Sequence, residues 1–111
     1  MDCIFCKILK SEIPSTKVYE DDQVYAFRDI NPVSPTHILV IPKKHLATIN
    51  QTEDFNIYSS IFQAITKIVQ QENLTDRGYR VVANCNQDGG QVVYHIHFHI
   101  LGGREFHWPP G

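Results

Sequence analysis

The sequence predicts an α+β domain: about five antiparallel strands, one long helix and a short N-terminal helix. Three observations carry that reading. Between Thr52 and Asn73, apolar residues recur at three- and four-residue steps over a length that only a helix accommodates. Runs rich in β-branched and aromatic residues lie on both sides of it. The connections between those runs are mostly short, as antiparallel neighbours require.

In chain order, "CIFCKILKSEIP" reads as the short helix, with Ile4, Phe5, Ile8 and Leu9 on one side and Pro14 as its stop. "KVYEDDQVYAFRD" reads as a hairpin about the turn formers Glu20, Asp21 and Asp22. "INPVSPTH" holds two prolines and is a loop. "HILVIP" is almost continuously apolar, which suits a central strand buried on both faces. In the long helix, Tyr58, Ile61, Phe62, Ile65, Ile68 and Val69 form the apolar stripe, with Thr52 as N-cap and Asn73 to Gly78 as the stop. "YRVVANC" is a further strand, "NQDGGQ" a turn, and "VVYHIHFHIL" the last strand. The glycines and paired prolines of "GGREFHWPPG" end it.

A chain of 111 residues forms one domain around a single core. With 42% hydrophobic residues and a net charge of −2, it reads as an ordinary globular protein lacking a broad basic footprint for nucleic acid. No run approaches the ~20 apolar residues that cross a bilayer, so no membrane partner is expected. Lys7 and Lys10 break the N-terminal apolar run, which argues against a signal peptide and for a cytoplasmic protein. Three cysteines, an odd number, argue against a disulfide framework.

Residues 94–101 read "YHIHFHIL". On a strand, His95, His97 and His99 share one face, while Ile96, Phe98 and Ile100 take the other and pack on the long helix. Same-face neighbours stand roughly 6.6 Å apart and the outer pair roughly 13 Å apart. Zinc–nitrogen bonds are only ~2.0–2.1 Å, so three histidines on a straight strand cannot meet on one ion. A polar strand face explains one histidine; three in register point to catalysis. Imidazole serves as nucleophile, acid or base near neutrality, and a middle ring can attack while its neighbours position it and supply positive charge. Gly89-Gly90 alone is a plain turn. Beside the histidines, it lets backbone amides approach an anion such as a phosphate ester.

"HIHFHIL" resembles the signature of the histidine-triad (HIT) superfamily. "IFCKILKSEIPSTKVYEDDQVYAFRDINPVSPTHILVIPKKH" is similar to the N-terminal half of its histidine-triad nucleotide-binding branch. "GGQVVYHIHFHILGG", with the terminal "HWPPG", is similar to the C-terminal half. The likeness spans nearly the whole chain. It implies a homodimer whose two sheets join into one. It also implies hydrolysis of purine nucleoside 5′-phosphoramidates, such as AMP or GMP derivatives, through a nucleotidyl-histidine intermediate and without a catalytic cofactor.

Carried onto this chain, the resemblance makes His97 the nucleophile, His95 and His37 a supporting relay, and His99 a phosphate contact. Asp29 would hold the ribose hydroxyls. Phe5, Ile8, Phe27, Ile30 and Leu39 would wall the base. Asn84, Gly90 and the Gln91, Val92 and Val93 backbone would face the phosphate and leaving group, and Trp108 would reach the partner's site. Read alone, Asp29 starts a turn, Phe27 is core and His37 is structural. Val92 departs from the family, many of whose members carry a serine there, so leaving-group preference is open.

Cys3 and Cys6 form C-x-x-C without the preceding strand that a thioredoxin-type site needs. The resemblance implies instead a structural zinc held by Cys3, Cys6, His45 and His95; otherwise His45 reads as a surface residue. Two other functions compete: dinucleoside polyphosphate hydrolysis and non-catalytic nucleotide binding.

Overall fold

The computed structural model describes residues 3–51 and 53–111. The elements are α1 (Ile4–Leu9), β1 (Lys17–Glu20), β2 (Val24–Arg28), β3 (Thr36–Pro42), a 3-10 turn (Ile49–Gln51), α2 (Asn56–Gln71), β4 (Arg80–Val82) and β5 (Phe98–Gly102). The strands make one antiparallel sheet in the order β1-β2-β3-β5-β4, as the α+β reading predicts.

β3 sits in the middle because it is apolar on both sides, with Ile38, Leu39, Val40 and Ile41 all buried. Ile38 and Val40 join Val24, Ala26, Ile96, Phe98 and Ile100 beneath the stripe of Ile61, Ala64, Ile65, Ile68 and Val69 on α2. Leu39 and Ile41 face the other way, onto Phe27 and onto Cys3, Phe5 and Ile8 of the α1 segment. The sheet is thus covered by α2 on one face and, on the other, by α1 and the site described below. Phe62 is the exception to the expected stripe. It is 48% exposed at the helix flank, with its ring 5.5 Å from that of Phe98.

The ends differ from expectation for local reasons. α1 stops at Leu9, where Ser11 turns the backbone left-handed at φ 61°, well before Pro14. α2 begins at Asn56, whose amide donates to Asp54 Oδ1 at 3.0 Å. The expected cap, Thr52, lies outside the described residues. Asn73, at φ 59°, supplies the stop.

The largest difference is in the last strand, which begins at Phe98 rather than Val92. The β3–β5 register pairs Val40 with Phe98, so its continuation would set Pro42 against Ile96. Proline has no N–H to give the ladder. The Pro42 carbonyl is taken by the His95 ring at 2.8 Å, and the Ile96 amide donates to Leu46 O at 2.7 Å. β4 is short for the same reason: past Val82, paired with His99, little of β5 remains to meet it. The alternation nevertheless persists, since Ile96 is buried in the α2 core with Phe98 and Ile100. Among the described residues, no helix is long and apolar enough to cross a membrane.

Candidate functional site

A cavity of about 450 Å³ opens on the α1 face of the sheet. Ile4, Phe5 and Ile8 wall it from α1, Phe27 and Leu39 from the sheet, and Asp29, His37, His97 and His99 edge it with polar groups. Apolar walls with a few convergent polar atoms are the usual build of a small-ligand pocket. A second hollow, of about 350 Å³ beside Lys44, Asp54 and Asn56, holds no histidine, so the chemistry selects the first.

At the cavity edge the hydrogen bonds fix which nitrogens carry protons. The Val33 amide donates to His37 Nδ1 at 3.2 Å, so that nitrogen holds a lone pair and His37 Nε2 holds the hydrogen. His37 Nε2 lies 2.9 Å from His99 Nδ1 and 3.4 Å from Asp29 Oδ2. His99 therefore accepts at Nδ1 and carries its own proton on Nε2. That Nε2 is buried and has no partner among the described residues. The site thus holds a donor in reserve, and the donor belongs to a residue that lines the cavity.

His97 is arranged the opposite way. Its Nδ1 lies 2.8 Å from the His95 carbonyl, which can only accept, so Nδ1 is protonated and Nε2 keeps a lone pair. The His97 and His99 rings are 5.1 Å apart, and Phe5 packs edge-on to His97 at 5.1 Å. Burial lowers the pKa of His97 and of His37, against the pull of Asp29. It pushes that of His99 down to about 4, helped by the neighbouring His97 and His37 rings. The row is therefore neutral at physiological pH. It does not supply the positive charge expected of the flanking rings, but it keeps His97 as a free base.

A second cluster lies behind the first. Cys3 Sγ, Cys6 Sγ, His45 Nδ1 and His95 Nδ1 all fall within 4.8 Å of one another. His95 Nδ1 is 3.4 Å from Cys3 Sγ, 3.7 Å from Cys6 Sγ and 3.1 Å from His45 Nδ1, and Cys6 Sγ is 3.4 Å from His45 Nδ1. Bonds of ~2.0–2.1 Å to nitrogen and ~2.3 Å to sulfur give tetrahedral edges of roughly 3.3–3.8 Å, close to these separations. The proton positions agree. His95 Nε2 donates to Pro42 O, which leaves Nδ1 bare towards the sulfurs, as a metal ligand must be. The Cys6 amide points at Cys3 Sγ from 3.4 Å. Burial and Cys3 hold the Cys6 thiol above its ordinary pKa, so a cation is what would draw out its proton. The residues fit a four-coordinate zinc with no open position.

A family model described as the HIT domain matches residues 10–106. The chain belongs to the HIT family. It is 53% identical to the 14 kDa zinc-binding protein of Zea mays, over 97% of this chain and 87% of that one. It is 49% identical to the purine nucleoside phosphoramidase of Escherichia coli K12, over 93% and 88% respectively. The crystal structure of a HIT family hydrolase from Legionella pneumophila Philadelphia 1 superposes with a TM-score of 0.96 at 54% identity, covering 99% of this chain and all of that one.

Most of the residues singled out from the sequence come together in this HIT domain. Phe5, Ile8, Phe27, Ile30 and Leu39 line the cavity, as do Asp29, Asn84, Gly90, Val92 and Val93. Three differ from the sequence expectation. The His95 ring is fully buried in the sulfur cluster, and what reaches His97 is its backbone carbonyl. Gln91 does not line the cavity. Its side chain ties the loop to Ala47 O, Val93 O and the Asn86 amide, and its own amide donates to Asn86 O. The Gly90 amide is likewise committed to Gln87 O, so neither N–H is free for an anion. Trp108, expected at a partner's site and so no departure, is 83% exposed and does not line the cavity of its own chain. His45, which alone read as a surface residue, stands 4.9 Å ring to ring from His95. No residue pattern singles out Val33, since its role is played by a backbone amide.

Proposed function

We propose that this HIT domain hydrolyses purine nucleoside 5′-phosphoramidates, with His97 as nucleophile. The observation that carries the reading is the pairing of opposite tautomers: a bare Nε2 on His97 beside a reserve N–H on His99. The likeness to a phosphoramidase at 49% identity supports the same substrate class. The purine lies between Phe5, Ile8, Phe27, Ile30 and Leu39, and the free oxygen lone pairs of Asp29 accept from the ribose hydroxyls. His97 Nε2 attacks the α-phosphorus, a P–N bond to imidazole forms, and the P–N bond to the leaving amine breaks. The amine departs after its nitrogen takes a proton from water at the cavity mouth, and the water that later cleaves the intermediate returns one to solvent. The His99 Nε2–H meets the charge that develops on a phosphoryl oxygen, with His37 and the Val33 amide holding it in the donor form. Water then cleaves the nucleotidyl-imidazole. Asn84, Gly90, Val92 and Val93 border the phosphate and the departing amine.

The same reading includes a cytoplasmic homodimer. The sheet order leaves β4 at an edge, and Trp108 stands free to reach a second copy. It also includes a structural zinc on Cys3, Cys6, His45 and His95. When bound, this ion would cross-link α1, the loop after β3 and the segment before β5, with no part in the bond-breaking step.

The test is a quench. During turnover of a labelled adenosine phosphoramidate, the nucleotide should be found on the imidazole of His97. His97→Ala should lose turnover and still bind AMP; full turnover in that variant removes the mechanism. Elemental analysis should find one zinc per chain, and metal-free protein at full folding would refute the zinc.

A further inference from the structure

We propose that Ser15, backed by the Tyr25 hydroxyl, recognises the polar edge of the purine and lets the cavity take amino- and oxo-purines alike. The inference rests on the reading of this cavity as a purine nucleotide site and names what addresses the base.

The sheet sets the order of the subsites. His99 pairs with Leu39, Leu39 with Phe27 and Phe27 with Lys17, a line that crosses the sheet from β5 to β1. Beside it, the Asp29 amide donates to His37 O and the Arg28 amide donates to Thr16 O. The chain that leads into β1 thus runs along the end of β2, on the side away from β3 and β5 and their histidines. Ser15 lies on that stretch and lines the cavity. From β5 to β1 is three strand spacings, roughly 14 Å, and side chains reaching inward from both ends narrow this to the length of a nucleoside monophosphate. With the phosphate at His97 and His99 and the ribose at Asp29, the far edge of the base comes to Ser15.

That end of the cavity is otherwise apolar. The side chains of Ile8, Ile13, Pro14, Phe27 and Leu39 offer a purine no hydrogen bond. Base nitrogens taken out of water and left unpaired there would cost more than the apolar contact returns to them. The other polar side chains of the lining are placed elsewhere. Arg28 is turned to Glu72 Oε2 at 3.0 Å, and Asn31 stands exposed on the loop after β2. Asn84 borders the phosphate in the proposed reading. Half-buried Ser15 is the hydroxyl that remains for the base.

Its partner gives that hydroxyl two states. Ser15 Oγ and the Tyr25 hydroxyl stand 2.7 Å apart, and either can donate. Tyr25 packs against the cluster of Phe5, Phe27 and Ile41, with its ring 5.8 Å from that of Phe27, and does not itself line the cavity. When Tyr25 donates, the Ser15 hydrogen is free for an acceptor in the cavity. When Ser15 donates, one of its lone pairs is free for a donor. The exchange is a rotation of two O–H bonds and displaces no heavy atom. Adenine sets an amino donor beside a ring-nitrogen acceptor, and guanine sets a carbonyl acceptor beside an N–H donor. A hydroxyl that plays either part serves both, where a carboxylate or an ammonium would select one.

The experiment is steady-state kinetics of the full chain on three phosphoramidates of one amine. They carry adenosine, guanosine, or an indole nucleoside of purine outline that has no polar edge. Ser15→Ala should lower kcat/KM for adenosine and for guanosine by roughly two- to twelvefold, the worth of one neutral hydrogen bond. The loss should fall chiefly on KM, because the base is bound alike in ground state and transition state. With the indole substrate the variant and the unaltered chain should coincide. Ser15→Thr keeps the hydroxyl and should retain both purines. Tyr25→Phe should cost less than Ser15→Ala, because it frees the Ser15 hydroxyl without removing it. Equal losses on all three substrates would make Ser15 structural, a loss on one purine alone would remove the two-way hydrogen bond, and no loss would remove the contact. Each of these overturns the proposal, as does a larger effect of Tyr25→Phe than of Ser15→Ala. Calorimetry with AMP, GMP and the indole nucleotide repeats the comparison by binding alone. The same ranking in a chain that turns over no phosphoramidate sinks the enzymatic reading and leaves recognition of the base standing.

Discussion

Among the described residues stand two compact groups of histidine with acidic or sulfur side chains, and distance alone does not tell them apart. Cys3, Cys6, His45 and His95 make one; Asp29, His37 and His99 make the other, each with ligand atoms within 4.8 Å. The difference lies at the far nitrogen of one ring in each. His95 turns its far nitrogen to a carbonyl, so the near one is bare and can bind a cation. His37 turns its far nitrogen to the Val33 amide, so the near one carries a proton and can only donate. One backbone group behind each ring thus separates a cluster able to take a cation from one that holds a proton.

The largest effect should come from the relay. Removing the reserve donor with His99→Ala should lower kcat about 10²–10³-fold, with zinc content and fold unchanged. Cys6→Ala should do the reverse in metal content. A second zinc bound in a His99-dependent manner would erase the distinction. His37→Phe, which cannot donate to His99 Nδ1, should lose roughly tenfold, the worth of about one hydrogen bond, while His37→Gln keeps a donor and should lose less.

Much of this was legible beforehand. β3 announced itself because Ile38 to Ile41 are apolar on both faces, and α2 because its stripe repeats at helical steps. The cavity wall was reachable only through the family likeness, since Phe5 and Ile30 have no local signal that sets them apart from core or surface. What stayed hidden were facts of hydrogen bonding. Alternation of histidine with apolar residues looks like a strand wherever it occurs. A strand also needs a partner with amides to share, and Pro42 has none. The same break frees the His95 carbonyl for His97, so the feature that spoiled the strand boundary is the one that leaves His97 Nε2 bare. The proton on His37 was equally invisible, being decided by a main-chain donor on an exposed valine.

Acid should sharpen the comparison by a smaller amount. Imidazoles in an unfolded chain titrate near 6.5, whereas His99 in the fold titrates near 4 and His37 is also lowered, both chiefly by burial. Between those values the unfolded chain binds more protons, so stability rises with pH there. The neutral relay should be intact above about pH 6.5 and lose stability progressively as pH falls towards 4. Chemical denaturation at a series of pH values should show this slope, and His99→Ala should flatten it. An anionic nucleotide beside His99 raises its pKa, so AMP binding near pH 5 to 6 should take up protons, read by calorimetry in buffers of different ionisation enthalpy.

The smallest expected effect lies at the mouth of the cavity. Val92 is 87% exposed at the cavity edge, and its side chain offers no hydrogen bond to the leaving amine of the proposed reaction. Val92→Ser adds one donor there without touching either cluster, so zinc content and the pH slope should stay as they are. One neutral hydrogen bond of about 0.5–1.5 kcal/mol corresponds to a roughly two- to twelvefold change in kcat/KM. The gain should appear with polar amines and vanish with purely aliphatic ones, because only the former can use the hydroxyl. Equal gains for both would move the effect from the leaving group to the phosphate. The hydroxyl would then be assisting the His99 donor, and the relay would not be acting alone.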